Sequence, residues 1–365
     1  MRKRGKMPIH TELTVLLVLV MLMFAQTSCA KHNPNIYPLD KAYYREASLQ
    51  KELKALADQY PQEAKLHIIG YSGTDKKPIY ALQIQTDLQR TPVLVIGQHH
   101  GDEVIGVQIA MALAKQLLEQ PDNSRIRQLK DAYAFWIVPT LNPEAFRIVT
   151  SGKFEWKRKT NTDTNKNRKL DLLTDGVDIN RNYPTFWSVG LPLPEYHPYY
   201  RGASPASEAE VQALLKLAEL VRFRYLFSYH SSVTGTFNEK IYLPWQNRSD
   251  KSNRIDFDRM RDLADLYASA VTKDYAPGTY LVHPGQTSKL GNSRNHFYYE
   301  YGTFAYDIEV GGIDAGGVSV IHPKADIMQS IVSKHISALE QALLYANAEM
   351  WFSSPEPEYK SKNLQ

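Results

Sequence analysis

The feature that most constrains the fold is an apolar run that ends close to two potential metal ligands. Residues 93–96 are continuously apolar, Gly97 bounds them, and an amphipathic stretch follows at 104–118. This order predicts a buried parallel strand, a short loop and a helix. His100 and Glu103 then lie at the carboxyl end of a strand, where open α/β sheets bind their ligands. Because a single His-x-x-Glu pair is also common in surface loops, the interpretation needs support from elsewhere in the chain.

Two further segments support it, because each ends in a side chain that suits a metal site. Residues 224–229 are apolar and aromatic and lead to His230, and residues 304–308 alternate and lead to Glu309. If these strands are parallel neighbours in one sheet, their terminal side chains converge at one edge. Two imidazoles and a carboxylate make a three-ligand zinc site with an open fourth position, which is the arrangement of hydrolytic zinc sites.

The polar sequence between these segments adds groups that bind anions. Residues 176–182 read Gly-Val-Asp-Ile-Asn-Arg-Asn, and residues 156–160 read Trp-Lys-Arg-Lys-Thr. Arginine and asparagine hold a planar carboxylate by parallel hydrogen bonds, and a second arginine can stabilise oxyanion charge. Three other cations of this region are interpreted as solvated loop charges: Lys157, Lys159 and Arg168.

Together these motifs resemble the M14 family of zinc carboxypeptidases. The resemblance spans roughly residues 40–350 and rests on motifs in family order: His100-Gly-Asp-Glu103, Leu141-Asn-Pro-Glu144, Trp156-Lys-Arg-Lys-Thr160, Gly176-Val-Asp-Ile-Asn-Arg-Asn182, Ser207-Glu208, His230-Ser231 and Glu309. It implies an α/β fold: a single domain with a mixed, largely parallel central sheet flanked by helices. The absence of a linker or an internal repeat agrees with one domain.

The resemblance also implies the metal and the general base. His100, Glu103 and His230 would bind one zinc ion, and Glu309 would deprotonate the zinc-bound water. Asp178 would be the partner that orients His100, a role that metal sites generally need.

Substrate contacts follow from the same resemblance. Arg158 would polarise the scissile carbonyl, although Lys157 is an extra residue in the family's Trp-Arg-Lys order. Asn180 and Arg181 would hold the terminal carboxylate of the substrate.

In the family, the floor of the specificity pocket is formed shortly before the general base. Arg294 lies in this stretch, shortly before Glu309, and two alternatives are open for it. Arg294 either pairs with a second substrate carboxylate, as in a C-terminal Glu, Asp or diaminopimelate, or points to solvent. The family's mobile tyrosine has no counterpart in residues 285–291. Tyr280 and Tyr298 are the nearest substitutes, and that role is unassigned.

The function implied is a metallocarboxypeptidase that hydrolyses the C-terminal bond of peptides. Two alternatives share the chemistry, namely a murein-peptide amidase acting on cell-wall peptides and an N-acyl amino acid deacylase. An inactive peptide-binding lipoprotein is the alternative of a different class. The formal charge of +4 is partly due to the N-terminal residues and gives no case for nucleic-acid binding. The oligomeric state is left open.

Residues 1–30 are predicted to be a signal peptide, with a basic start at 2–6 and an apolar segment at 13–25. Cys29 is the only cysteine and suits the lipidated cysteine of a lipoprotein, whereas cleavage after Ala30 is the alternative. The enzyme would be exported, either periplasmic or secreted, and lipidation of Cys29 would attach it to a membrane. Residues 40–350 form the predicted catalytic domain and residues 351–365 a polar tail.

Periodicity predicts the remaining elements. Strands are expected at 78–84 and 133–138, and helices at 206–221, 258–271 and 325–345. Ser207 and Glu210 have the spacing of a capping box for the first of these helices. Residues 141–204 lack periodicity and are predicted to be a long substrate-binding loop. His99 is expected on the face opposite to His100 if the strand continues.

Overall fold

The computed structural model describes residues 39–87, 89–246, 254–285 and 290–349. The predicted signal peptide with Cys29 and the predicted tail at 351–365 lie outside these residues.

An eight-stranded sheet forms the centre of the molecule. Its strands in chain order are β1 (Ala64–Tyr71), β2 (Pro78–Ile84), β3 (Thr91–Ile96), β4 (Tyr133–Val138), β5 (Tyr225–His230), β6 (Lys240–Tyr242), β7 (Leu281–His283) and β8 (Phe304–Glu309). They are arranged in the order β1-β2-β4-β3-β5-β8-β6-β7. The central strands β4, β3, β5 and β8 are parallel, whereas β1, β2 and β6 join by antiparallel pairs. Two short strands, β9 (Gly312–Ile313) and β10 (Ser319–Val320), pair separately.

Helices cover both faces of this sheet. They are α1 (Glu46–Gln59), α2 (Ile105–Glu119), α3 (Ser124–Ala132), α4 (Pro143–Thr150), α5 (Ala209–Val221), α6 (Arg254–Ala270), α7 (Ser293–Tyr301) and α8 (Ala325–Ala348). Single 3-10 turns occur at Ile179–Arg181, Trp187–Val189 and Gly235–Phe237.

Strand β3 shows why the sheet is buried on both sides. Val93 and Val95 belong to one apolar cluster, with α2, α6 and α8, whereas Leu94 and Ile96 belong to a second cluster, with α5. Alternate residues of a strand point to opposite faces, so a continuous apolar run requires helices above and below. The predicted single α/β domain with a mixed, largely parallel sheet is therefore confirmed.

The strand order also places the candidate ligands at one edge. β3 pairs with β5, and β5 pairs with β8, with His230 directly opposite Glu309 in the register. The turn after β3 carries His100 and Glu103 to the same carboxyl edge. Residues more than 200 positions apart in the sequence therefore meet.

Two glycines fix the turn that carries these ligands. A Cβ on Gly97, at the end of β3, would lie 2.3 Å from the carbonyl oxygen of Pro139, and a Cβ on Gly106, in the first turn of α2, would lie 1.8 Å from that of Gly97. Strand and helix are in direct backbone contact here, and only glycine permits this approach.

Two local predictions are wrong. The helix expected from residue 206 begins at Ala209 with Glu208 as its N-cap, and Ser207 bonds Glu208 and Asn182 instead of forming a capping box. The stretch 141–204 is not entirely loop, because α4 lies within it. The Asn142 side chain accepts from Ala145 N and Pro143 begins the helix, which is a standard helix start.

Candidate active site

Three buried side chains form a group that could hold a metal ion. His100 and His230 are 2% exposed and Glu103 is 3% exposed, and their donor atoms lie within 4.8 Å of one another. The Nδ1 atom of His100 lies 2.9 Å from Glu103 Oε1, and the Nδ1 atom of His230 lies 2.9 Å from Glu103 Oε2. The two Nδ1 atoms are 3.3 Å apart. The structure brings the three predicted ligands together.

These separations fit zinc. Donors at about 2.0–2.1 Å from a tetrahedral ion lie roughly 3.3 Å from each other. Both histidines also turn their second nitrogen to a fixed partner, since His100 Nε2 lies 3.0 Å from Asp178 and His230 Nε2 lies 3.1 Å from Ser228 Oγ. Burial alone would raise the pKa of Glu103, but His100 and His230 hold it well below its ordinary value. The carboxylate is therefore ionised and suited to a cation.

Asp178 links this group to Arg158. It lies just before the 3-10 turn Ile179–Arg181 and is fully buried. Its Oδ2 accepts from Arg158 Nη2 at 2.9 Å, and Arg158 Nη1 donates to Glu103 at 2.8 Å. Arg158, and not the additional Lys157, thus lies beside the metal ligands.

Asn180 contacts protein groups on several sides. Its amide nitrogen lies 3.2 Å from His230 Nε2 and donates to Asp307 at 3.3 Å, while its Oδ1 accepts from Ser293 N. These bonds position His230, a contact that the family resemblance does not include. Arg181 bonds the carbonyl oxygen of Asn180 at 2.6 Å.

Glu309 lies at the end of β8, beside His230 at the end of β5. Its backbone oxygen accepts from Glu239 N at 2.9 Å, which fixes the end of the strand. It does not belong to the three-residue metal group of the described residues. A carboxylate residue at the same edge of the sheet, but outside this group, is a candidate for the general base.

Arg294 is buried and ion-paired. It lies in the first turn of α7 and is 5% exposed. Its Nη1 donates to the Asp307 carboxylate, and its Nε donates to Leu243 O at 3.0 Å. The alternative in which Arg294 points to solvent is therefore wrong. Burial alone would raise the pKa of Asp307, but Arg294 and His230 lower it, so the pair is ionised.

Two of the three cations assigned to solvent are also buried. Lys157 donates to Asp175 O at 3.0 Å, and Lys159 donates to Glu195 O at 2.8 Å. Burial lowers the pKa of Lys157 to about 7 and that of Lys159 to about 8. The prediction was wrong for both, because backbone carbonyls of distant loops can enclose a lysine without leaving a sequence signal. Arg168 is exposed as predicted.

His99 is a further contact that the sequence did not reveal. The strand ends at Ile96, so its alternation does not extend to His99. The His99 ring stacks on His230 at 5.2 Å, and its nitrogens lie 2.9 Å from Tyr183 OH and 3.1 Å from Ser228 Oγ. The substitutes considered for the mobile tyrosine, Tyr280 and Tyr298, belong to the larger apolar cluster.

Comparison with known proteins gives a consistent result. A family model described as zinc carboxypeptidase matches residues 49–332. Metallocarboxypeptidase A of Trichophyton tonsurans is 29% identical over 167 residues, which cover 45% of this chain and 34% of that protein. Carboxypeptidase O of Bos taurus is 21% identical over 340 residues, which cover 88% of this chain and 84% of that protein.

Solved structures agree in fold. Carboxypeptidase A from Helicoverpa armigera superposes with a TM-score of 0.69 at 17% identity, covering 84% of this chain and 75% of that chain. The chain spans about a third or less of the length of several curated relatives that it matches.

Proposed function

Because the chain belongs to the zinc carboxypeptidase family, we propose that it is a metallocarboxypeptidase that hydrolyses the C-terminal peptide bond of peptide substrates. The observation that carries the proposal is the convergence of the three-ligand group, Glu309 and two guanidinium groups at one edge of the sheet. Arg158 lies 2.8 Å from the ligand Glu103, and Glu309 is in register with His230.

Each group has a role in this proposal. His100, Glu103 and His230 would hold zinc, which would supply the Lewis acidity that polarises a carbonyl and lowers the pKa of water. Glu309 accepts the proton of the attacking water and returns it to the leaving amine. Arg158 stabilises negative charge on the carbonyl oxygen.

Arg181 takes the terminal carboxylate by charge-assisted hydrogen bonds. It has no ion-pair partner among the described residues, so its charge is available for a substrate anion. Asn180 lies next to Arg181 in the chain and contributes to holding the same carboxylate, and its amide nitrogen also contacts His230.

The test measures zinc per chain and hydrolysis by the purified protein. The panel contains blocked dipeptides with free and amidated C-termini, a diaminopimelate-containing peptide and N-acyl amino acids. Hydrolysis of the diaminopimelate-containing peptide alone would identify a cell-wall peptidase. Hydrolysis of the N-acyl amino acids alone would identify a deacylase. A protein without zinc and without activity on any substrate would disprove the proposal.

Glu309→Gln separates an enzyme from an inactive peptide-binding protein. The amide cannot accept a proton, so kcat is expected to fall about 10²–10⁴-fold while zinc content and substrate binding persist. Measuring kcat together with calorimetric binding provides the check. Unchanged turnover would remove Glu309 from the mechanism.

We further propose that Arg294 favours substrates with an acidic C-terminal residue. A guanidinium has five N–H donors, and its contacts with Asp307 and Leu243 leave donors for a substrate carboxylate. Arg294→Ala is a poor test, since it leaves Asp307 buried without its ion-pair partner at a cost of about 3–5 kcal/mol.

A double variant tests this preference more cleanly. R294Q/D307N removes both charges together, so that neither is left buried alone, and it is expected to lose preference for Glu over Phe about ten-fold. The measurement is kcat/KM on substrates ending in Glu, Lys and Phe. A native preference for Lys or Phe, or an unchanged ranking in the double variant, would end the idea.

Export is part of the proposal as well. No helix of the described residues is long and apolar enough to cross a membrane. We propose that the protein is exported and processed either by lipidation at Cys29 or by cleavage after Ala30. The mass of the mature N-terminal peptide distinguishes the two, and an unprocessed N-terminus would contradict both.

A further inference from the structure

The loop between the 3-10 turn Trp187–Val189 and Arg201 is anchored firmly beside the metal group. Arg201 Nη1 donates to the carbonyl oxygens of Trp187 and Gly190, at 2.5 and 2.6 Å, and its guanidinium carbon lies 4.1 Å from the Trp187 ring. Asp178 N donates to Tyr200 O at 2.8 Å, which ties the loop to the residue that holds His100. The loop therefore has a fixed position relative to the ligands.

Tyr199 is the residue of this loop that reaches the site. Its backbone N–H donates to His197 Nδ1 at 3.0 Å, and the two rings are in contact at 5.5 Å. The guanidinium carbon of Arg158 lies 5.2 Å from the Tyr199 ring centroid, and that of Arg181 lies 5.4 Å from it. Both distances are within the range of a cation–π interaction.

The two arginines are anchored very differently. Arg158 bonds two buried carboxylates, Glu103 and Asp178, which fix it on two sides. For Arg181 the hydrogen bond that the structure shows is to the carbonyl oxygen of its own neighbour, Asn180, and no carboxylate of the described residues pairs with it. The Tyr199 ring thus contacts both the loosely held guanidinium of Arg181 and the firmly held guanidinium of Arg158.

The space next to Arg181 makes this contact important. A cavity of about 260 Å³ opens beside it, and Tyr199 contributes to its wall together with Gly190, Leu191, Leu193, His197, Arg201 and Leu290. A guanidinium without the ring would have room to turn into this cavity and away from the substrate.

We propose that Tyr199 is a positioning residue that braces Arg158 and Arg181 together and so fixes the distance between the site for the scissile carbonyl and the site for the terminal carboxylate. We assign this role to the aromatic face, which makes both cation–π contacts. Arg158 and Arg181 have these roles under the function proposed above, on which the inference rests. Holding two recognition groups at a fixed separation lowers the entropy cost of binding a substrate in its reactive geometry.

The test uses the zinc-loaded full chain with three variants: Tyr199→Phe, Tyr199→Leu and the control Tyr196→Leu. Tyr196 belongs to the same loop and is 68% exposed. Loss of two cation–π contacts is expected to raise the KM of Y199L for a free-acid dipeptide about ten-fold while kcat changes less than about three-fold. Preference for the free acid over the matching amide should fall by the same factor. Y199F and Y196L are expected to behave as the native protein does, and all variants should keep their zinc.

Three outcomes would overturn the inference: a Y199L with native KM and native acid preference, a Y199F as impaired as Y199L, or a Y196L as impaired as Y199L. Calorimetry measures the affinities for the free-acid dipeptide and for its amide, and so gives the same preference without turnover. A native protein that binds the acid about ten-fold more tightly than Y199L does, yet hydrolyses nothing, would contradict the proposed function and support the brace.

Discussion

Asp178 serves two neighbours of the metal group at once. Its Oδ1 lies 3.0 Å from His100 Nε2, and its Oδ2 accepts from Arg158. Asp178→Asn is expected to lower zinc affinity about 10–100-fold, because a neutral amide no longer fixes the His100 tautomer or balances the Arg158 charge. Competition with a chelator measures the affinity. The control Asp131→Asn removes a carboxylate that is 80% exposed and should change nothing. Native zinc affinity in D178N would contradict this role.

At the same scale, the sequence predicted the residues whose type and position both point to chemistry. His100, Glu103, His230 and Glu309 each follow an apolar strand, and the strand ends had to meet once the sheet was parallel. Asp307 and Tyr199 gave no such signal. The first lies inside a strand and the second in a proline-rich loop, so their partners are set only by tertiary packing.

At the scale of elements, α8 and α6 pack around a buried histidine. His335 on α8 is fully buried, with Nδ1 3.0 Å from Tyr267 OH and Nε2 3.2 Å from Tyr280 OH. Burial lowers its pKa to about 3. The unfolded chain binds a proton below about pH 6.5, whereas the folded chain does not until about pH 3, so stability is lost as pH falls through this window.

His335→Gln should therefore flatten the pH dependence of stability. Between pH 7 and pH 5 the free energy of unfolding of the native protein should fall by up to about 2 kcal/mol more than that of the variant. Denaturant titrations at the two pH values measure the difference. Because the native protein and the variant share all other titratable groups, the contribution of those groups cancels in the comparison. Identical slopes for the two proteins would show that His335 is not kept neutral by folding.

Two of the elements that the sequence missed have a common physical reason. In α7 the residues from Ser293 to Tyr298 are all buried, so burial does not follow a helical period. β1 is a strand at the edge of the sheet, with mixed burial and a register shift between Ile68 and Gly70. Periodicity reveals elements with one buried face, and neither of these has one.

For the whole molecule, the two apolar clusters lie on opposite faces of the sheet and are built without the metal ligands. Removing zinc with a chelator is therefore expected to keep the far-ultraviolet circular dichroism spectrum while lowering Tm by about 5 °C or more, since zinc at 100 times its Kd stabilises by about 2.7 kcal/mol. Calorimetry with and without chelator measures the shift, and added zinc should restore it. Loss of the spectrum on chelation would show that the core depends on the metal.

The backbone contact between Gly97 and Gly106 has a consequence for interpreting mutational data. Neither residue offers a side chain to substrate or metal, yet a methyl group at either position would push the strand end and the helix apart and displace both His100 and Glu103 between them. A saturation-mutagenesis scan scored by activity would thus rank these two glycines beside the ligands. Their intolerance to substitution would report the short distance between the strand end and the helix. A search for reactive groups based on such scores would therefore select two positions that have no reactive side chain.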